Sequence, residues 1–77
     1  MENIISIDII NRGWIDKRRT HLEDVYILFD HNKLERVATY NKERKTLTFY
    51  NFEHYYKKVW KNIDLLKYIH NTVNKND

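Results

Sequence analysis

The 77-residue chain contains no cysteine, no proline, one glycine and one serine. The absence of cysteine excludes disulfide bridges, thiolate zinc sites and a catalytic cysteine. A single glycine, Gly13, cannot build the glycine-rich loops that hold nucleotide phosphates, and Ser6 lies in no nucleophile motif. We therefore expect a protein that is not an enzyme and that needs no cofactor.

The chain also lacks a long apolar run. The longest covers residues 25–29, far below the roughly 20 residues that span a bilayer. The first residues show no basic stretch followed by an apolar one, as a signal peptide would. We expect a cytoplasmic protein with no membrane partner, formed as a single domain over residues 1–77 with a frayed tail over 74–77.

The formal net charge of +3 comes from 14 basic and 11 acidic side chains, and these are unevenly distributed. Residues 1–32 hold 4 basic and 6 acidic side chains, whereas residues 33–61 hold 8 basic and 3 acidic ones. The positive middle segment is also aromatic. This combination is typical of surfaces that bind acidic proteins or nucleic acid, although an excess of three charges is small.

An alternating pattern of isoleucines predicts the first strand, over residues 4–10. Three of them are expected on one face: Ile5, Ile7 and Ile9. The only glycine follows, so we expect a turn or a bulge in which Gly13 has a positive φ. Residues 14–15 could continue as a short further strand, and residues 16–21 read as an exposed polar loop.

Three more strands are predicted. Residues 25–29 are β-branched and aromatic, which favours a strand. Thr20 and Glu23 nevertheless fit a helix capping box, so a helix over residues 21–29 stays open as an alternative. A hairpin formed by residues 35–40 and 46–50 places Val37 toward the core with Leu47 and Phe49.

From residue 52 onward the hydrophobic period becomes helical. Seven residues form the stripe: Phe52, Tyr56, Val59, Ile63, Leu66, His70 and Val73. This spacing predicts one long amphipathic helix of about twenty residues. Asn51 is the expected N-cap, with Glu53 in the first turn. Asn62 or Asp64 could instead cap a separate second helix.

The order β-β-β-β-α predicts an α+β domain. We expect a small, mainly antiparallel four-stranded sheet with one long C-terminal helix packed on one face. Several strands carry apolar side chains on both faces, but the helix covers only one. The other face is therefore expected to need a partner, either another protein or a second copy in a homodimer.

The candidate binding residues are basic and aromatic. The outward side of the predicted helix carries His54, Lys57, Lys58, Lys61, Leu65 and Tyr68, and the hairpin turn adds Lys42, Arg44 and Lys45. Arg18 and Arg19 belong to a basic loop that could bind phosphate, and Trp14 is of a residue type that often anchors interfaces. The alternative interpretation is a solvated lysine-rich helix face and a solvated loop.

The four histidines show no metal-ligand spacing. His70 lies in the apolar stripe and is expected to be a half-buried structural residue. His54, with Lys57 and Tyr68, forms the one cluster that could cleave RNA by acid–base chemistry.

Three functions are therefore considered. The first is a non-enzymatic binding module for a protein or protein–nucleic-acid complex. Ile, Asn and Lys, with AT-rich codons, make up 27 of the 77 residues. Together with the small size, this suggests a phage or mobile-element inhibitor of host machinery, such as a defence system. The alternatives are a direct nucleic-acid-binding protein and a small ribonuclease-like toxin.

Overall fold

Four strands and two helices are present in the described part of this computed structural model, which covers residues 3–60 and 64–74. The strands are β1 (Ile4–Asn11), β2 (Leu22–Phe29), β3 (Leu34–Asn41) and β4 (Thr46–Phe49), and the helices are α1 (Phe52–Trp60) and α2 (Leu65–Asn74). Each strand pairs antiparallel with the next, giving the order β1-β2-β3-β4. The predicted α+β class and the four-stranded antiparallel sheet are confirmed.

One face of the sheet forms the hydrophobic core with residues from both helices. The fully or almost fully buried members are Val25, Ile27, Phe29, Val37, Ala38, Tyr40, Val59, Leu65 and Ile69. We call this the core face. The opposite face, called the open face below, carries the alternate side chains of each strand because successive side chains point to opposite sides.

β2 runs next to the sheet's centre and is a strand over its whole length, so the alternative helix over residues 21–29 is wrong. Its buried apolar residues alternate along one face, as a strand flanked on both sides requires. The strand begins three residues earlier than the apolar pattern predicts. The reason is that Glu23 and Asp24 are buried and have polar partners inside the sheet.

β1 contains a bulge at Ile5. Ile4 and Ser6 pair with consecutive residues of β2, so Ile5 is an extra residue in the ladder. Its side chain is 59% exposed, and the prediction that Ile5 shares a face with Ile7 and Ile9 is wrong. An inserted residue reverses the face of every residue beyond it, so Ile4 packs against the core instead.

β3 contains a second bulge, at Val37. Ala38 and Arg36 pair with consecutive residues of β2, which leaves Val37 as the extra residue. Val37 and Ala38 are adjacent in sequence, yet both are completely buried. The prediction that Val37 faces the core with Leu47 is confirmed, and the bulge brings Arg36 onto the open face.

The helical segment is divided into two short helices, so the prediction of one long helix is wrong. The first helix ends at Trp60 and the second begins at Leu65, after the non-helical Asp64, as the alternative interpretation allowed; residues 61–63 lie outside the described residues. Asp64 caps the second helix, since its Oδ1 accepts a hydrogen bond from the Lys67 N–H at 3.2 Å. The first helix follows Asn51, whose backbone carbonyl accepts hydrogen bonds from the N–H groups of His54 and Tyr55.

The division changes which residues of α2 are buried. Leu65 and Ile69, four residues apart, have no exposed surface, whereas Leu66 is half-buried. The prediction that Leu65 lies on the outward face is therefore wrong. A separate second helix can rotate about its axis independently of the first. Burying a leucine side chain contributes about 1.5–3 kcal/mol, so the rotation that turns Leu65 into the core is favoured. Asn74 ends α2, and the rest of the predicted frayed tail lies outside the described residues.

The connection from β1 to β2, residues 12–21, contains two 3₁₀ turns, Arg12–Trp14 and Lys17–Arg19. We call it the connecting segment. A short further strand after Gly13 is not formed, and the predicted positive φ at Gly13 is also wrong. A Cβ at this position would lie 2.6 Å from Asn11 Oδ1 and 2.7 Å from Thr20 Cγ2. The position needs glycine because the two ends of the segment approach each other closely.

Candidate functional site

A half-buried polar network occupies the open face at the end of β1. The Arg12 Nε and Nη2 groups both donate hydrogen bonds to the Asp24 carboxylate, at 3.2 Å from Nε. Nη2 also donates to Thr39 Oγ1 and to the Tyr50 hydroxyl, each at 3.1 Å. The Thr39 and Tyr50 hydroxyls hydrogen bond to each other. The network links the start of the connecting segment to β2, to β3 and to the residue after β4.

The ion pair at the centre of this network is largely shielded from water. Only 6% of the Asp24 side chain and 19% of the Arg12 side chain are exposed. The hydrogen bond from Arg12 holds the pKa of Asp24 below its usual range, even though burial acts in the opposite direction. The same hydrogen bond raises the pKa of Arg12. Both groups stay charged at neutral pH, and the pair fixes Arg12 against the sheet.

Two short polar side chains hold the rest of the connecting segment in place. Asn11 Oδ1 accepts the Gly13 N–H at 2.8 Å, while Asn11 Nδ2 donates to the Thr20 carbonyl at 2.8 Å. Asp16 Oδ1 accepts from the Arg18 Nε at 3.2 Å and from the Arg18 N–H at 3.0 Å. These two hydrogen bonds lower the pKa of Asp16. The segment is thus ordered before any partner arrives, which reduces the entropy lost on binding.

The connecting segment presents the two most exposed large apolar side chains among the described residues. Trp14 is 76% exposed and Ile15 is 69% exposed. Arg18 and Arg19 follow a few residues later, and their side chains are mostly exposed. Tryptophan and arginine are enriched among the residues that dominate binding energies at protein interfaces. An exposed Trp–Ile pair beside arginines on a fixed segment is suited to docking.

A depression of about 360 Å³, open to solvent, lies between the connecting segment and the open face. Its lining consists of Arg12, Ile15, Asp16, Arg19, Asp24 and Arg36. We call it the arginine depression. Its lining includes three guanidinium groups and two carboxylates, so the depression has one positive charge in excess.

Arg36 differs from the other two arginines of the depression. Arg12 is paired with Asp24, and Arg19 Nε lies 3.4 Å from Asp16 Oδ2. The Arg36 guanidinium lies over the Tyr50 ring, 4.7 Å from its centroid, and forms no ion pair with a carboxylate of residues 3–60 or 64–74. Arg36 therefore supplies the excess positive charge of the depression.

The predicted basic face of the helix is only partly assembled. Lys57 and Lys58 lie on α1, and Tyr68 is 36% exposed on α2. Leu65, predicted to lie between them, is in the core. Lys61 lies outside the described residues. The surface expected around Leu65 is therefore not formed.

The members of the histidine cluster predicted for RNA cleavage form no hydrogen bond or ring contact with one another in the described part of the chain. The Lys58 Nζ lies 3.2 Å from His54 Nε2, and the Tyr55 ring packs edge-on against the His54 ring with centroids 4.7 Å apart. Within the described part of the chain, neither Lys57 nor Tyr68 is among the hydrogen-bond or ring contacts of His54. No group of three or more His, Asp or Glu side chains there could hold a metal ion.

His70 lies half-buried beneath the sheet. Its Nδ1 is 2.8 Å from the hydroxyl of Tyr40, and the two rings meet edge-on with centroids 5.2 Å apart. Burial raises the pKa of the Tyr40 hydroxyl. This contact gives His70 the structural environment that its place in the apolar stripe predicts.

The basic hairpin turn lies next to the connecting segment. The Lys42 Nζ is 3.3 Å from Glu23 Oε1, and the Lys42 N–H donates to the His21 carbonyl at 2.8 Å. Arg44 and Lys45 are exposed in the same turn. Lys42 is thus engaged in holding the end of the connecting segment, while Arg44 and Lys45 remain solvated.

Sequence reasoning missed most of the arginine depression. It singled out Trp14, Arg18 and Arg19, but not Arg12, Ile15 or Arg36. The sequence signal that could have indicated this site was the lone glycine. A segment that turns sharply at Gly13 must bring the residues on either side of the turn back to the sheet. The position of Arg36 depends on the bulge at Val37, and nothing in the hydrophobic pattern marks that bulge.

No helix among the described residues has both the length and the apolar character to cross a membrane. Comparison of the chain with models of protein families, with curated proteins and with solved structures finds no significant match.

Proposed function

We propose that this protein is a non-catalytic binding module that docks onto an acidic protein surface through the connecting segment and the arginine depression. The docking surface consists of Trp14, Ile15, Arg19 and Arg36. The observation that carries the proposal is the exposed Trp14–Ile15 pair on a hydrogen-bonded segment, with Ile15 lining the same depression as Arg36, whose guanidinium forms no ion pair with a carboxylate of the described residues.

The chemistry of the docking surface defines the expected partner. The planar Arg36 guanidinium can bind a carboxylate through two parallel hydrogen bonds, which is a geometry that lysine does not offer. Trp14 and Ile15 need an apolar surface next to that carboxylate. We therefore expect the partner to present an aspartate, a glutamate or a C-terminal carboxylate beside exposed aliphatic or aromatic side chains.

The charge balance of the depression favours a protein over nucleic acid. Asp16 and Asp24 lie among the three arginines, so a chain of phosphates would meet two carboxylates at the site. Affinity for nucleic acid depends on the number of phosphates that free cations neutralise; the depression offers one excess charge, to which the neighbouring turn adds Arg44 and Lys45. Direct nucleic-acid binding is the alternative that the experiment below must distinguish.

The test is quantitative affinity capture from a lysate of the cells that encode the protein, read by mass spectrometry. Trp14→Ala and Arg36→Ala are each expected to reduce recovery of the partner at least tenfold, since central aromatic and arginine anchors contribute about 2 kcal/mol or more. Trp60→Ala is the matched control for tryptophan, because Trp60 is 42% exposed on α1. Lys57→Ala is the matched control for loss of one exposed positive charge.

Nuclease treatment of the lysate separates the two classes of partner. Capture that survives nuclease and depends on Trp14 supports the proposal. Capture that disappears with nuclease, or that depends on Lys57 and not on Trp14 or Arg36, contradicts it. The biological setting of a phage or mobile-element inhibitor stays a prediction from size and codon composition, and the identity of the captured protein tests it.

A further inference from the structure

The outer edge of β1 presents backbone groups that no strand of the described residues pairs with. Phe29 directs both its N–H and its carbonyl toward the turn into β3. Every second residue of a strand directs its backbone groups to the same neighbouring strand. The N–H and carbonyl groups of Val25 and Ile27 therefore also point to β3. The residues opposite them on β1, Ile9 and Ile7, therefore leave their N–H and carbonyl groups at the free edge of the sheet.

Residues 6–11 of this edge carry little protection against strand addition. Natural proteins protect sheet edges with short strands, charged residues, proline or bulges. β1 is eight residues long and contains neither lysine nor proline, and Asp8 is its only charged residue. The opposite edge, β4, is only four residues long. The bulge at Ile5 disturbs one end of β1 but leaves residues 6–11 in regular pairing.

We propose that β1 pairs antiparallel with β1 of a second copy of this chain, around a two-fold axis at Ile9. On the core face Ile7 and Ile9 are only half-buried, and on the open face Ile10 is 42% exposed. A second β1 brings the same two half-buried isoleucines to the core face and the same free backbone groups to the edge, so the interface is one self-complementary patch on both copies.

The charge of Asp8 and the bulge select the register. An axis at Asp8 sets two carboxylates directly opposite each other, which is destabilising. An axis at Ile7 sets the bulged Ile5 opposite Ile9, where the ladder is interrupted. An axis at Ile9 keeps the pairing within the regular part of β1 and sets Asp8 opposite Ile10 of the other copy.

The register at Ile9 forms about six backbone hydrogen bonds between the copies, two for each hydrogen-bonded pair. It also makes the two open faces parts of one eight-stranded sheet. An interface of one strand pair is at the small end of stable interfaces, so dissociation in the micromolar range is expected. This inference is independent of the proposed docking surface, which lies on the connecting segment and at Arg36 of β3.

Sedimentation velocity from micromolar to millimolar concentrations measures the dimer. Ile9→Pro is expected to weaken dimerisation at least tenfold, because it removes an N–H at the centre of the interface that no internal hydrogen bond uses. Leu47→Pro is the matched control, a half-buried residue whose N–H lies at the free edge of β4, and it should leave the dimer unchanged. Circular dichroism of each variant verifies folding. A wild-type chain that stays monomeric, or equal effects of the two prolines, overturns the proposal.

The register has its own test. Ile10→Lys places a positive charge opposite Asp8 of the other copy twice per dimer. At low salt the dissociation constant of Ile10→Lys should therefore be several-fold lower than that of the double variant Ile10→Lys with Asp8→Asn, which keeps the edge lysine, and added salt should remove the difference. Equal dissociation constants of these two variants at low salt overturn the axis at Ile9.

Hydrogen exchange of the unmodified protein provides a readout that needs no variant. The amides of Ile7, Ile9 and Asn11 should be protected at millimolar concentration and exchange rapidly after dilution below the dissociation constant. Rapid exchange of all three in a verified dimer contradicts pairing through β1.

Discussion

Replacing Arg12 with methionine tests how the connecting segment is held. Methionine keeps an apolar stem of similar length but removes the guanidinium, so Asp24 remains buried without its cation. Loss of one partner of a buried ion pair costs about 3–5 kcal/mol, and the one-fifth exposure of Arg12 reduces our expectation to about 2–3 kcal/mol. A domain of this length has a stability on the order of 4–11 kcal/mol, so the variant should lose a large fraction of it.

Urea unfolding followed by circular dichroism measures this loss. The midpoint should fall while the slope m stays constant, because the surface exposed on unfolding is nearly unchanged. Arg19→Met is the control, since its ion pair with Asp16 is largely exposed and should contribute about 0–1 kcal/mol. Equal losses for the two variants, or a loss below about 1 kcal/mol for Arg12→Met, would refute the assignment of Arg12 as the anchor of the segment.

Three further predictions concern stability. Gly13→Ala should cost about 1–2 kcal/mol, measured by urea unfolding, because the new methyl group displaces the Asn11 cap; an unchanged midpoint contradicts the close approach. Because the pKa of Asp24 is lower in the folded protein than in the unfolded chain, its ionised carboxylate stabilises the fold. This stability is present above the pKa of the unfolded chain, near pH 4, and is lost as the pH falls through the lower pKa of the folded protein. Acid titration of the unfolding midpoint should show this loss in the wild type and much less of it in Asp24→Asn. Leu65→Ala should cost about 2–5 kcal/mol by thermal unfolding and Tyr68→Ala less than about 1 kcal/mol, whereas similar losses contradict the placement of Leu65 in the core.

Local sequence patterns were sufficient to predict the strands. The alternation around Val37, Leu47 and Phe49 predicts the last hairpin with the correct inward faces. The β-branched and aromatic composition of residues 25–29 predicts β2 against a competing helix cap. These predictions succeed because burial of a strand face and strand propensity favour the same residues.

Irregularities within the elements could not be predicted. A bulge inserts one residue without leaving a hydrophobic signature, and it reverses the face assigned to the residues beyond it, as at Ile5. The break between the helices similarly resets the helical phase, which moves Leu65 from the predicted surface into the core. In both cases the packing of the elements against one another, and not the local hydrophobic period of the sequence, decides which way the side chain points.

The candidate site depends on these same irregularities. Trp14 and Arg19 are recognisable from their residue types, but the depression beside them forms only because Arg12 folds back over β2. The bulge at Val37 then turns Arg36 toward the same face. A sequence pattern contains the residue types of such a site but not the long-range pairing that brings them together.

The most direct test of the docking surface is site-specific photo-crosslinking in the cells that encode the protein. A photoreactive phenylalanine derivative replaces Arg18, whose side chain is 89% exposed on the connecting segment, in one variant and Trp60 in the other, so that Trp14 stays in place. We expect a covalent adduct with one acidic protein from position 18 and none from position 60. An adduct from position 60 alone, no adduct from position 18, or adducts at position 18 formed only with nucleic acid would contradict the docking surface.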